Sequence, residues 1–577
     1  MSPYITSRSC TALTIIAFAF IAAIDFLSKN IRYFMPSTRT IPSQIVPDYV
    51  KSYWATTTNN NILIGIFLIV PIIAILFIIL KNQEIRLSYR RFDIIIFIIA
   101  FMIGFMLWSL PESNVDYIRY FITAKAISQN GFINYLGSWQ PFRTDLPLIP
   151  VLFGFIFHIF GISRTAIQFF TTLCFAGTVF LTYRIGKAYW NDKIGFFSSL
   201  VLISASPYVL QVPRTLVDTP FVFLIVSFAY SLLITYRSRF WILGSLFSIM
   251  LIPFTLLAKL TSIIFLPVIF IAITLIELAH NKNRKKIISR MFIILFSATM
   301  LLISFSLVFY DKLLLFSQGR PWIGKVIIAP FPQNLLELFL AVSLRANPLG
   351  LFRNSIYLVG AIVVISSFIS IIYLMKRQDA RFLLILLWGI VPLFLLPGGD
   401  RFDLTRYLFP LLPAFGIGFA VITSNLDIRI KHLILAAILL SSLFTASLIQ
   451  IPAINATGMG AINSTCNIIN SLEPESVGII HVAETARGKS LIKHSDQLMI
   501  HFEYLSPNTA FHYYEYQPFF KSESYPDMLI VVSDSYKIPQ SLYFFLSYHN
   551  YTLIHTNEGY LGGVWSPLIC HMYVSNE

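Results

Sequence analysis

The chain has 577 residues, of which 56% are apolar and 12% charged, and its mean hydropathy is +0.73. Soluble proteins carry about 25% charged residues, and a single soluble core stops growing near about 250–300 residues, so disorder and an ordinary soluble enzyme are both excluded. The surplus apolar surface must face lipid. The net charge is +15. In a polytopic chain it reads as basic residues gathered in cytoplasmic loops rather than as a nucleic-acid footprint. Four cysteines exclude a disulfide scaffold.

A helix crosses the hydrocarbon core with about 20 apolar residues, and backbone groups in lipid must be satisfied within the segment. In chain order the predicted spans are Thr11–Leu27, Ile62–Leu80, Ile94–Leu110, Thr165–Tyr183, Ile194–Leu210, Phe221–Thr235, Phe240–Ala258, Thr261–Leu278, Met291–Tyr310, Ile356–Met375, Phe382–Leu396, Leu408–Thr423 and Leu433–Leu448. That is about thirteen helices. Thr11–Leu27 follows Arg8 and reads as an uncleaved anchor.

Alternate loops hold the basic residues: Lys81 to Arg91, Arg184 to Lys193, Arg237 and Arg239, Lys282 to Arg290, Lys376 to Arg381, and Arg429 and Lys431. The positive-inside rule makes this side cytoplasmic. Pro111–Arg164, Asp311–Arg353 and everything after Leu448 then lie outside, with shorter outer loops around Asp218 and Arg401–Arg406. Past the last span the pattern changes. Val477–Val482, Met528–Val532, Tyr551–His555 and Cys570–Val574 read as strands and Pro539–Ser547 as an amphipathic helix. The expected fold class is a polytopic α-helical membrane protein with a small extracytoplasmic C-terminal α/β domain. The expected division is two extra N-terminal helices (1–90), a transmembrane core with outer loops (91–450) and the α/β domain (451–577). Cys466 and Cys570 can pair if that domain is extracytoplasmic. Three sequons, at Asn455, Asn463 and Asn550, fall in the same segment.

The first outer loop opens directly after a span, with Ser113-x-x-Asp116 followed by Ile118, Ile122 and Ala126 at helical spacing. This predicts a helix along the membrane surface with Asp116 at its start. A carboxylate there can accept the proton that an acceptor hydroxyl loses as it attacks an anomeric carbon. The same spacing also fits a helix-start signal with no chemistry. In the second loop, Asp218-Thr219-Pro220 is compatible with a helix cap ahead of a first-turn proline. It also places a second acid at the depth of Asp116, either to bind sugar hydroxyls or to orient an arginine. Arg143, Arg214, Lys259, Arg401 and Arg406 recur at that level. Guanidinium groups suit bidentate phosphate contact. Lys259 interrupts an apolar run, which makes it a functional candidate, with snorkelling to the interface as the alternative.

The run Asp116-Tyr117…Tyr120…Ala124-Lys125-Ala126-Ile127…Asn130-Gly131…Arg143-x-Asp145-Leu146-Pro147…Gly161 resembles the first extracytoplasmic loop of the GT-C superfamily of membrane glycosyltransferases. More narrowly it resembles the dolichyl-phosphate-mannose–protein mannosyltransferase-like group, which includes the bacterial aminoarabinose transferase for lipid A. Pro207 to Pro220 resembles that group's second loop, and Arg406-Tyr407…Pro410…Pro413 its late Arg-Tyr segment. The resemblance implies a GT-C fold and an inverting transfer of sugar from a polyprenyl (dolichyl or undecaprenyl) phosphate to an acceptor glycan, lipid or protein on the outer face. By carry-over Asp116 is the base and Asp218 the loop-two acid. Arg143, Arg214, Lys259, Arg401 and Arg406 bind the donor phosphate, and Tyr117, Tyr120 and Tyr407 contact substrate. Many protein mannosyltransferases have Asp-Glu in loop one, whereas Val115 precedes Asp116 here. No Trp-Trp-Asp signature of oligosaccharyltransferases is present.

A monophosphate donor needs no dedicated metal where protein cations neutralise it. The sequence has no Asp-x-Asp and no His/Cys cluster at ligand spacing. A divalent cation stays compatible with the chemistry, and no other cofactor is expected. The rival classes are a polyprenyl-linked sugar flippase or transporter, for which paired repeats are the usual sign, and a non-catalytic membrane assembly protein.

Overall fold

Long apolar runs without a soluble partner face fold here as helices packed on helices. The computed structural model describes residues 17–29, 92–108, 110, 116–131, 148–259, 261–281, 283–308, 348–396, 402–446, 458–474, 476–482, 510–514, 526–533, 540–560 and 567–575. Helix α1 spans 17–29. It is followed by α2 (Phe92–Met106), α3 (Asp116–Asn130), α4 (Leu148–Phe160), α5 (Arg164–Tyr189), α6 (Asp192–Ser204), α7 (Asp218–Arg237), α8 (Trp241–Ala258), α9 (Ser262–His280) and α10 (Arg284–Val308). Then come α11 (Pro348–Val359), α12 (Ala361–Lys376), α13 (Leu412–Ser424) and α14 (Ile428–Phe444).

Among the described residues five helices are long and apolar enough to cross a membrane: α5, α7, α8, α9 and Arg406–Ser424. Leu349–Val359 with Ala361–Lys376 makes a sixth if the pair, bent by 114°, is one span. Shorter apolar helices cover Asp93–Met106, Leu148–Phe160, Leu384–Leu395 and Leu433–Phe444. The chain is thus an integral membrane protein, and among the described residues five or six full-length spans account for part of the thirteen expected. Ile62–Leu80 lies outside the described residues. Ile194–Leu210 is not one helix: it ends at Ser204, and Ser206–Val209 forms a separate turn. Phe382–Leu396 is helical but not α throughout: a π-helical stretch Leu384–Ile390 runs straight into a short α-helix carrying Pro392.

Burial grades the helices. In Arg406–Ser424, 83% of the apolar window is enclosed, against 33% in α8. The outward faces of α8 and α10 carry Leu243, Phe247, Phe292, Phe296 and Met300, all exposed. This is the lipid-facing surface that the composition demanded. Glycines let the central helices touch. A Cβ on Gly416 would lie 2.8 Å from the Ser198 carbonyl of α6, and one on Gly418 2.9 Å from Ser367 Cα of α12. Small residues permit such backbone approach in membrane bundles.

Charges separate to the two ends. At one end Asp93 pairs with Arg184 (2.5 Å), Asp192 with Lys187 (2.7 Å), Glu277 with Arg237 (2.8 Å) and Asp379 with Arg381 (2.5 Å). Arg381 holds the Asp379 carboxyl below its ordinary range, against burial that acts to raise it. At the opposite end Gln168 donates to the carbonyls of Trp108 (2.9 Å) and Pro213 (3.1 Å), and Arg164 donates to Leu110. The expected first outer loop holds two helices, α3 and the apolar α4. They pack together, with Phe121 and Phe157 ring centroids 5.7 Å apart.

The C-terminal part begins with α15 (Gly458–Leu472), followed by β1 (Ser476–Val482), β2 (Ala510–Tyr514), β3 (Met528–Ser533), α16 (Gln540–Tyr548), β4 (Tyr551–Tyr560) and β5 (Pro567–Ser575). The sheet order is β2-β1-β3-β5-β4, parallel among the first three strands and antiparallel for the rest. Alternation sorts the strands onto two faces. Val477, Ile479, Ile530 and Met572 join Ile462 and Ile469 of α15, while Ile480, Leu529, Val531 and Tyr573 pack under Leu542 and Leu546 of α16. The four predicted strands and the helix are present. Strand β2 and helix α15 were not foreseen. Cys466 and Cys570 are separate buried thiols, not a disulfide, and burial pushes the Cys570 thiol up to about 12.

Candidate functional site

A charged cluster at one end of the described bundle is built from three distant stretches of sequence. Asp218 opens α7, and Lys259 follows the last residue of α8. A carboxylate at a helix N-terminus and an ammonium at a C-terminus each stand where the helix dipole favours them. Lys259 is extended (φ −160°, ψ 130°), breaking the chain between α8 and α9 so that its side chain leaves the apolar run. Lys259 Nζ lies 2.5 Å from Asp218 Oδ1, and Arg406 Nη1 lies 3.9 Å from Oδ2. The Asp218 side chain keeps 2% of its exposure, Lys259 13% and Arg406 22%. One carboxylate is thus shared by two cations.

Aromatic rings frame the cations. Lys259 Nζ is 4.2 Å from the Tyr407 ring centroid and 5.6 Å from that of Phe221, and Arg406 lies 5.9 Å from Tyr407. These are cation–π distances. Arg406 and Tyr407 sit on a 3-10 segment, Phe402–Leu411, which runs directly into α13. Trp388 Nε1 donates to the Pro410 carbonyl at 2.8 Å and fixes that segment from behind. The second loop closes over the same place. Apart from Pro207 and Gln211, residues 205–220 are buried. Tyr208 packs its ring 5.0 Å from Phe409 and 5.6 Å from Phe175.

The predicted residues divide. Asp218, Lys259, Arg406 and Tyr407 come together. Asp218 is not a helix cap: Val217 occupies that position with no side-chain capping bond, and the carboxylate turns to Lys259 instead. Arg214 is buried in the same loop, with its carbonyl accepting from Leu216 N at 2.8 Å. Tyr120 is buried in the core through α3. Helix α3 begins at Asp116, as the spacing predicts, shortly after Leu110 at the Arg164 end of the bundle. The side chains of Asp116 and Tyr117, and all of Arg143 and Arg401, lie outside the described residues. Among the described residues no group of three His, Cys, Asp or Glu side chains is placed to hold a metal. Tyr208 was legible only as part of a turn signal, because nothing in the sequence tied it to Phe409.

The family model described as dolichyl-phosphate-mannose-protein mannosyltransferase matches residues 141–310, which include Asp218 and Lys259. The resemblance read from the sequence, to dolichyl-phosphate-mannose–protein mannosyltransferase-like proteins, is borne out over those residues. Among solved structures, ArnT from Cupriavidus metallidurans bound to undecaprenyl phosphate is similar at 10% identity. The match covers 84% of this chain and 98% of that one, with a TM-score of 0.49. The archaeal oligosaccharyltransferase AglB from Archaeoglobus fulgidus, in complex with an inhibitory peptide and a dolichol-phosphate, is similar at 12% identity. That match covers 77% and 69%, with a TM-score of 0.46. A search of curated proteins gave no match.

Proposed function

We propose that the chain is a membrane glycosyltransferase that moves a sugar from a polyprenyl phosphate to an acceptor hydroxyl, with inversion, at the membrane face where the Asp218 trio lies. The carrying observation is the convergence of Lys259 and Arg406 on one buried carboxylate at the end of the bundle, framed by Tyr407. Lys259 and Arg406 set two cations side by side at that end of the bundle, the kind of donors that recognise a phosphate. A phosphate that gains charge as the sugar departs is stabilised by such preorganised donors. Asp218 then anchors Lys259 and Arg406 and is not itself the base.

Asp116 takes the remaining role. Its carboxylate accepts the acceptor's proton as the new C–O bond forms on the anomeric carbon. The bond from that carbon to the phosphate oxygen breaks on the opposite side, and its electron pair leaves with the polyprenyl phosphate. Arg143, Arg214 and Arg401 extend the phosphate site and Tyr117 lines the sugar side, whereas Tyr120, buried in the core, serves packing. The face is extracytoplasmic because the opposite end gathers Arg184, Lys187, Arg237 and Arg381. Residues 1–90 are N-terminal helices added to a core of 91–450, and 451–577 form the outer domain.

The test is incubation of purified protein with radiolabelled polyprenyl-phosphate sugars and glycan, lipid and protein acceptors. Label transfer in the wild type, lost in Asp116→Asn, is the expected result. Movement of intact lipid-linked sugar across vesicles without label transfer would replace the transferase by a carrier.

A further inference from the structure

Helix α1 brings an ion pair into the interior of the bundle. Lys29 Nζ lies 2.7 Å from Asp25 Oδ2, and both side chains are fully buried. Lys29 also donates to Ser442 Oγ of α14 at 2.5 Å, and Ser441 Oγ donates to Asp25 Oδ2. Burying two ions costs several kcal/mol each unless they are paired and hydrogen-bonded, and ionisable groups at membrane depth are functional candidates.

The pair sits at a break. Helices α11 and α12 meet at Gly360 with a bend of 114°. Gly360 has φ +91°, and a Cβ there would collide with Asp25 Oδ1 and stand 3.2 Å from Lys29 Cε. Among the described residues Asp25 Oδ1 has no hydrogen-bond partner; it faces the start of α12, where the dipole favours an anion. Ser28 accepts from Ala361 N at 3.0 Å and donates to the Asp25 carbonyl at 2.8 Å. The last turn of α1 therefore fits into the break as a wedge, and only glycine leaves room for it.

The break matters to the site because α11 packs against the Phe402–Leu411 segment that carries Arg406 and Tyr407, and against Ser206–Val209 of the second loop. We propose that Asp25 and Lys29 are positioning residues: by holding the α11–α12 bend they fix the height at which Arg406 meets the donor phosphate. The positioning role rests on the phosphate-binding reading above, whereas the clamp does not.

The experiment uses the full chain with nitroxide-bearing unnatural residues at positions 349 and 365, which are exposed on α11 and α12. Interspin distances are measured in the wild type, Asp25→Asn, Gly360→Ala and the double variant D25L/K29L. The double variant keeps the volume apolar and remains folded, because replacing a buried ion pair by apolar residues is close to neutral. A wild-type distance that shifts or broadens in D25L/K29L, at unchanged melting temperature, is expected. Affinity for undecaprenyl or dolichyl phosphate should fall about tenfold, equivalent to about 1.4 kcal/mol. An unchanged distance overturns the clamp. A shifted distance with unchanged affinity overturns the positioning role. A wild type that binds no polyprenyl phosphate overturns the functional reading and the positioning role with it, while the distance alone still decides the clamp.

Discussion

Lys259→Met is the sharpest perturbation of the site, because it removes the charge and keeps most of the apolar stem. Asp218 would lose the cation at 2.5 Å and keep Arg406 at 3.9 Å, inside a pocket that leaves the carboxylate 2% exposed. At an effective dielectric of about 20, a cation at that longer distance still attracts by about 4 kcal/mol. Orphaning one partner of a buried pair costs about 3–5 kcal/mol. The surviving arginine puts this case at the lower end, about 3 kcal/mol, which is roughly a hundredfold in an equilibrium constant. Tryptophan-fluorescence melting in detergent should register the loss, and polyprenyl-phosphate binding should weaken by a similar factor. The double variant D218N/K259M removes the orphaned charge, so stability should return while phosphate affinity stays low. If K259M matches the wild type in both measurements to within about 0.5 kcal/mol, the limit for independent sites, the ion pair does no work and the argument fails.

Three further outcomes are expected. Asp116→Asn should lower transfer by at least about a hundredfold, the low end for a lost general base, with polyprenyl-phosphate affinity unchanged; equal loss of both would make Asp116 a binding or structural residue. His571 is buried, and its folded pKa is held below the ordinary 6.5. A depressed value means stability is fully present above about pH 6.5 and is lost as pH falls toward the folded value. The protection of the β5 amides, taken as their exchange rate relative to the intrinsic rate at each pH, should therefore fall on acidification, and the fall should disappear in His571→Gln. Gly195→Ala should destabilise by about 1–3 kcal/mol through overpacking, because the added methyl collides with the Tyr183 carbonyl; an unchanged melting temperature would mean the α5–α6 contact is looser than drawn.

How legible these features were depends on how local each signal was. Helix α3 starting at Asp116, four strands of the C-terminal sheet and the basic residues gathered at one end follow from periodicity and charge, which neighbouring residues share. Lys259 stood out because a cation in an apolar run has few explanations. Its pairing with Asp218 across about forty residues and with the Tyr407 ring did not, since both depend on how α7, α8 and the 402–411 segment pack. The break after Ser204 was hidden for a different reason. Ser206-Pro207 is polar enough to turn a chain but too short to interrupt an apolar window. Strand β2, in Ala510–Tyr514, lacks the apolar alternation that marked its neighbours. The wedge at Gly360 needs residues far apart in sequence and could not be read at all.

The burial of residues 205–220 has a practical bearing on mapping which side of the membrane each loop faces. A reporter or epitope inserted there would have to displace Tyr208 from between Phe175 and Phe409. It would report a broken protein rather than a sidedness. The turn at Ser238–Phe240, where Arg239 and Phe240 are open, offers the opposite case. A tag there, with a second one at Leu349, would assign the two ends of the bundle to their compartments while leaving the charged trio intact.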